Sequence, residues 1–198
     1  MSESNQENSI QRRLVHNRTF DVKAYRREDD LWDIEAQITD LKNKDVKMSK
    51  GVRKLGEPIH QMLLKITINT KFEVLESKAT TIWAPYMGHC ENITPDYSKL
   101  VGLNLLKGFR EGAKERLGGI LGCTHITEIT KILPTVAFQA FVGEVYQVDG
   151  TTETAPATKK YPPVHLNGCH ALRTDGPVVQ SHYPVWYGYP VPESKKPA

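Results

Sequence analysis

Cysteine is scarce in this chain: Cys90, Cys123 and Cys169 are the only three. An odd number in a chain without a secretory leader excludes a disulfide framework and leaves metal ligation, a reactive thiol or plain burial. Long apolar runs are missing too. None approaches the roughly 20 residues that span a bilayer, so no membrane partner is expected. The first residues, Met1-Ser-Glu-Ser-Asn-Gln-Glu-Asn8, lack the apolar core of a signal peptide, which predicts a cytoplasmic protein. An excess of either charge is also wanting, with 26 Lys and Arg against 23 Asp and Glu. The basic pairs Arg12-Arg13, Arg26-Arg27 and Lys159-Lys160 sit among acids and read as solvated surface, not as a phosphate track. No nucleic-acid partner is expected. Gly-x-Ser-x-Gly, Walker and dinucleotide fingerprints do not occur either.

What is present suits one globular domain, with 39% hydrophobic and 25% charged residues. Residues 1–17 are polar and aperiodic and read as disordered. Residues 18–27 form a short extended piece. Trp32, Ile34, Ala36 and Ile38 then alternate with Asp33, Glu35, Gln37 and Thr39, the pattern of a half-buried strand whose first set faces the core. Asp33 and Asp40 are read as residues of the polar face. Residues 42–54 make a charged loop. Met62, Leu64, Ile66 and Ile68 mark a second strand and residues 72–83 a third, joined by a tight turn as a hairpin.

Residues 84–93 form a loop that carries His89 and Cys90. From Ser98 onward Val101, Leu105, Phe109, Ala113 and Leu117 recur every four residues, which predicts a helix weakened by Gly102, Gly108 and Gly112. A glycine-rich break leads to Gly122-Cys-Thr-His-Ile-Thr-Glu128, with Thr124 as the expected N-cap. A second helix follows from Ile126 to Phe141, with Pro134 kinking or restarting it. The fold class is therefore α+β: a three-stranded antiparallel sheet followed by two long helices. The single domain covers 18–150. Residues 151–160 are a linker by composition. Residues 161–198 are an irregular proline- and tyrosine-rich C-terminal arm, with Tyr183, Trp186 and Tyr187 as anchors on the main body.

His60, Cys90, Cys123 and His125 all fall in or beside connecting segments. Thiolate and imidazole are the donors zinc prefers; a closed set is structural and an open position permits chemistry. Glu128, Cys169 and His170 are secondary candidates; His89, adjacent to Cys90, ranks below His60 and His125 because adjacent side chains in extended backbone point apart, and Cys169 and His170 share that problem. The same short segment supports a second reading. Cys123 at a helix start, with His125 as base and Glu128 near, suits a thiol nucleophile. A third reading keeps the cysteines as packing residues in an interaction module that binds a protein partner.

The segments Trp32-Asp-Ile-Glu35, Pro58-Ile-His-Gln-Met62, Gly122-Cys-Thr-His125 and Cys169-His-Ala-Leu172 together resemble a bacterial family of unknown function, over nearly all the chain after its first fifteen or so residues. That resemblance implies no activity. From Gly56 to Phe141 the layout is also similar to the iron–sulfur cluster assembly scaffold family and its sulfur-acceptor relatives. Their Cys-Gly-Asp-x-Met-x-Leu motif compares with Pro58-Ile-His-Gln-Met-Leu-Leu64, placing the ligand Asp on His60 and the first Cys on Pro58. Their second Cys falls near Cys90 and their last on Cys123. With one thiol lost, this resemblance implies zinc or iron bound by His60, Cys90, Cys123 and His125 in a scaffold-like, metal- or sulfur-handling protein. The alternative is a small enzyme using Cys123 or a metal-bound water. Substrate and oligomeric state are not legible here.

Overall fold

A computed structural model describes residues 10–146 and 162–191; of the disorder expected over residues 1–17, residues 1–9 lie outside the described residues, as does the linker 151–160, while His16 and Asn17 open a strand because they pair with Lys42 and Leu41. The chain divides into two compact units, Met1–Phe141 and Val142–Ala198.

The first unit is α+β, as the alternating and four-spaced patterns require. Its sheet has four strands, one more than expected, in the order β1 (His16–Arg26), β2 (Trp32–Lys42), β5 (His60–Ile68) and β6 (Val74–Trp83), all antiparallel. The stretch read as a short extended piece is the additional strand. Its weak alternation reflects an edge strand exposed on most of its length. The charged loop after β2 holds a small hairpin, β3 (Val46–Met48) with β4 (Gly51–Arg53).

The expected register of β2 holds. Trp32, Ile34, Ala36 and Ile38 are buried, Ile34 to Ile38 completely. Met62, Leu64, Ile66 and Ile68 of β5 share that face through the pairs Ile38–Met62, Ala36–Leu64, Ile34–Ile66 and Trp32–Ile68. A fully buried aliphatic side chain contributes about 1.5–3 kcal/mol, so this row carries much of the fold's stability.

The two long helices are instead three short ones: α1 (Phe109–Leu117), α2 (Thr124–Thr130) and α3 (Leu133–Phe141). The four-residue spacing of buried Leu105, Phe109, Ala113 and Leu117 is real, but the helix begins only at Phe109. Gly102 and Gly108 have φ of +83° and +64°, left-handed conformations that no α-helix contains. Pro134 does restart the second helix, as α3. The chain ahead of α1 is held by 3₁₀ turns over Cys90–Leu100. Ile126 and Ile129 of α2 and Leu133, Ala137 and Phe141 of α3 are wholly buried, and the Phe141 ring meets those of Trp32 and Phe72.

The second unit, among its described residues, has a hydrophobic cluster of its own: Leu166, Val179, Tyr183 and Trp186, flanked by Leu172 and Tyr189. Two of the three aromatic anchors thus pack within their own segment. Prolines do not exclude helix there, because Pro177 occupies the first turn of α4 (Pro177–His182), where its missing N–H costs nothing.

Candidate metal centre

Strand register builds the site. Arg18 of β1 pairs with Asp40 of β2, and Asp40 pairs with His60 of β5. Paired residues in neighbouring strands share a face, so the three form a row across the sheet at the end of β2. Position 40 continues the series 32, 34, 36, 38, and its carboxylate therefore lies on the covered face, where it is only 2% exposed. The polar-face reading is correct for Asp33 and wrong for Asp40.

His125 reaches the row from the first turn of α2, and its placement rests on Gly122 and Tyr97. A Cβ on Gly122 would stand 2.2 Å from the Leu117 carbonyl oxygen, so only glycine lets the chain pass there. The buried Tyr97 hydroxyl accepts the Cys123 N–H at 2.9 Å and lies 2.9 Å from the Cys123 carbonyl and 2.8 Å from the Thr127 hydroxyl. Cys123, rather than Thr124, occupies the N-cap position, and no side chain caps this helix.

Asp40 accepts a two-pronged pair from Arg18, Nε to Oδ1 at 2.7 Å and a terminal nitrogen to Oδ2 at 2.8 Å. Arg18 also donates to Glu128 at 2.6 Å, so Glu128 is an ion-pair partner and not a merely solvated helix residue. The other side of Oδ2 faces two imidazoles, with His60 Nδ1 at 3.1 Å and His125 Nε2 at 3.6 Å. His16 Nε2 lies 3.4 Å from Oδ1. The His60 and His125 rings stack with centroids 3.7 Å apart and planes inclined by 26°. The second ring nitrogen of His125 points to the Cys123 sulfur at 3.9 Å.

Charge states follow from these neighbours. Burial pushes the Asp40 carboxyl up, but the hydrogen-bonded Arg18 guanidinium, helped in acid by the protonated forms of His60 and His125, outweighs it and holds the group below its ordinary range. Burial lowers His60, with His125 adding to that effect and Asp40 opposing it. Burial likewise lowers His125, against Asp40 and with Arg18. The result is an ionised carboxylate beside two neutral imidazoles, the protonation states in which each can ligate a cation.

One ligand atom each from Asp40, His60 and His125 lies within 4.8 Å of the others, a group that could hold a metal ion. Ligands 2.0–2.2 Å from a tetrahedral zinc stand about 3.4 Å from one another. The distances of 3.1 and 3.6 Å from Oδ2 to the two nitrogens lie on either side of that value, and the two nitrogens stand within 4.8 Å of each other.

Of the residues expected at a metal, His60 and His125 come together, Cys123 stands beside His125, and Cys90 opens the 3₁₀ turns. Among the described residues neither cysteine belongs to the ligand group. Cys169 and His170 are exposed residues of the second unit. Asp40 and Arg18 were missed, though the period of two, carried two residues past Ile38, points to Asp40 as an acid on an apolar face.

Fold and site together define an α+β protein with a buried carboxylate and two histidines gathered at one corner of an antiparallel sheet. The chain belongs to the DUF2889 family, described as a protein of unknown function, whose profile matches residues 16–139. No curated protein and no solved structure matches the chain. No helix among the described residues is long and apolar enough to cross a membrane.

Proposed function

We propose that this protein binds a divalent transition metal, zinc or iron, through Asp40, His60 and His125. The observation that carries this reading is the convergence of the three donors from β2, β5 and α2 on one point. Two histidines and a carboxylate form the donor set of mononuclear iron(II) sites and of zinc sites with an open position. Arg18 orients the carboxylate from outside, as outer partners of metal ligands do. Among the described residues the donor group contains no thiol, with Cys123 standing beside His125, so the arrangement suits an imidazole- and carboxylate-bound cation better than a thiolate-rich cluster. The same donor set serves iron(II) as well as zinc, which keeps both ions in the proposal. A role in metal handling, or chemistry on a metal-bound water at the open position, follows from the same donors.

Elemental analysis of untagged protein tests it. The expected result is about one equivalent of zinc or iron per chain, retained in Cys90→Ser and lost in His60→Ala and His125→Ala. Metal-free protein that takes up neither ion in a chelator competition would overturn the proposal, as would a His60→Ala variant that keeps its metal.

A second reading has its own observation. Cys123 Sγ, the His125 ring and Asp40 Oδ2 lie in sequence, with the thiol 3.9 Å from one ring nitrogen and the carboxylate 3.6 Å from the other. That order of thiol, base and orienting acid is the arrangement of a cysteine nucleophile. Iodoacetamide reactivity of metal-free protein separates the two. Rapid alkylation of Cys123 that His125→Ala slows favours the thiol, and retained metal favours the first reading.

A further inference from the structure

Arg18 sits where a cation would sit, among donors that could hold one. Its Nε and one terminal nitrogen lie 2.7 and 2.8 Å from the two Asp40 oxygens, and its other terminal nitrogen lies 2.6 Å from Glu128 Oε2. One guanidinium thus answers two carboxylates from β2 and α2. His16 Nε2 stands by the same Asp40 oxygen as Arg18 Nε, 3.4 Å from Oδ1. The fold produces this grouping. His16 and Arg18 are two positions apart on β1 and share a face, and Arg18 is the register partner of Asp40. Glu128 follows His125 by three positions on α2, so one helix face sends an imidazole to Oδ2 and a carboxylate to the guanidinium.

Asp40 therefore has two sides. Oδ2 faces the His60 and His125 rings, while Oδ1 faces Arg18 Nε and His16. A carboxylate with one oxygen toward each of two donor groups is the bridging element of a two-metal site, where the ions stand about 3.5–4 Å apart. Here only the Oδ2 side is left for a metal, because the two-pronged arginine bond takes the other edge of the carboxylate. Building on the metal reading of Asp40, His60 and His125, we propose that Arg18 limits this centre to one ion. Its guanidinium occupies the place between Asp40 and Glu128 that a second divalent cation would take.

The residue type suits that role. Arginine keeps its charge in proteins, so it does not vacate the place by losing a proton as a lysine or histidine can. Glu128 is long and its side chain is 35% exposed, so without the guanidinium it has the reach to close on a smaller ion. The consequence is chemical. A single ion with an open position polarises one ligand or activates one water, whereas a bridged pair clamps both the attacking and the leaving oxygen of a phosphoryl displacement. Arg18 directs the centre to the first kind of chemistry.

The test counts zinc bound by the full chain in equilibrium dialysis against saturating zinc, so that a weakened first ion is still counted. Wild type, R18Q and R18Q/E128Q are compared. R18Q is expected to bind about one ion more per chain than wild type, and R18Q/E128Q to lose that ion. With manganese(II) in place of zinc, R18Q should give the exchange-coupled paramagnetic resonance of an ion pair and wild type the signal of a single ion. An arginine with a structural role alone would change folded yield and leave the count as it is. If R18Q does not fold unaided it is refolded in zinc: recovery with the additional ion supports the proposal, and no recovery at any zinc concentration overturns it. Equal counts in wild type and R18Q overturn it, as does an additional ion that R18Q/E128Q keeps. A wild type that binds no zinc defeats the metal reading itself, and the difference between R18Q and wild type still decides the role of Arg18.

Discussion

Asp33 and Asp40 stand seven positions apart on β2 and so on opposite faces of it. Asp33 holds Thr67 Oγ1 at 2.7 Å, Lys65 Nζ at 2.8 Å and an Arg27 nitrogen at 3.5 Å, with its side chain 14% exposed. Asp40 holds Arg18 and faces two histidines, with its side chain 3% exposed. In both, burial raises the carboxyl and cationic partners more than offset it, so both stay below the ordinary range. A lowered carboxylate is therefore not what distinguishes a site. The difference is in the partners. Asp33 is served by flexible chains that water also reaches, whereas Asp40 is ringed by imidazoles fixed on a strand and a helix. Among the described residues Asp33 belongs to no group of three donors that could hold a metal, whereas Asp40 does.

The comparison breaks most sharply at the arginine. Arg18→Met leaves the buried Asp40 charge with only imidazoles to answer it. Removing one partner of a fully buried pair costs about 3–5 kcal/mol. Because Arg18 is itself 30% exposed, the expected loss is nearer 2–3 kcal/mol, read from urea denaturation. Lys65→Met at Asp33 should cost far less. Equal losses would mean that burial of the carboxylate, not its position under the helices, sets the stability of both ends.

Acid should separate the ends next. His60 and His125 have folded values below those of the unfolded chain, so the unfolded state binds protons first as pH falls. Their stabilising effect is full above about 6.5 and is lost as pH drops through the folded values. Asp33 and Asp40 contribute in full above about 3.9 and lose their effect only as pH falls through their lowered folded values. Chelator-treated wild type should therefore lose denaturant stability between pH 7.5 and 5.5, and the double variant His60→Asn/His125→Asn should show a flat profile over that window. A slope that survives in the double variant would assign it to another group.

Most of the sheet was legible from the sequence, because a period of two is the direct record of one face buried and one wet. The β2 register and the restart at Pro134 followed from local chemistry alone. The β1 strand was not legible as part of the sheet, since an edge strand exposed along its length leaves little alternation. The long helix from Ser98 failed because spacing reports which residues are buried, not whether the glycines between them take left-handed φ. At the site, His60 and His125 were visible as ligand types near chain breaks. Asp40 and Arg18 were hidden by residue type: an acid and a base read as surface until the register shows that they face each other under a helix.

The smallest effect should be at Lys65. Its side chain is 40% exposed and its ammonium divides itself between Asp33 at 2.8 Å and Glu35 at 3.5 Å. Pairs of that kind contribute about 0.2–1 kcal/mol, since the Coulomb term acts through water and a long side chain loses freedom to hold one geometry. Asp33 would still accept from Thr67 and Arg27 after Lys65→Met, so no buried charge is stranded. The expected loss is about 0.5 kcal/mol at low salt, shrinking further in 1 M sodium chloride, where the Debye length falls to about 3 Å. Arg18→Met should keep most of its penalty in the same salt, because the carboxylate it strands is shielded from the ions that would screen it. Should salt erase the two losses alike, Asp40 would be reached by solvent as freely as Asp33, and the distinction between the two ends of β2 would fail.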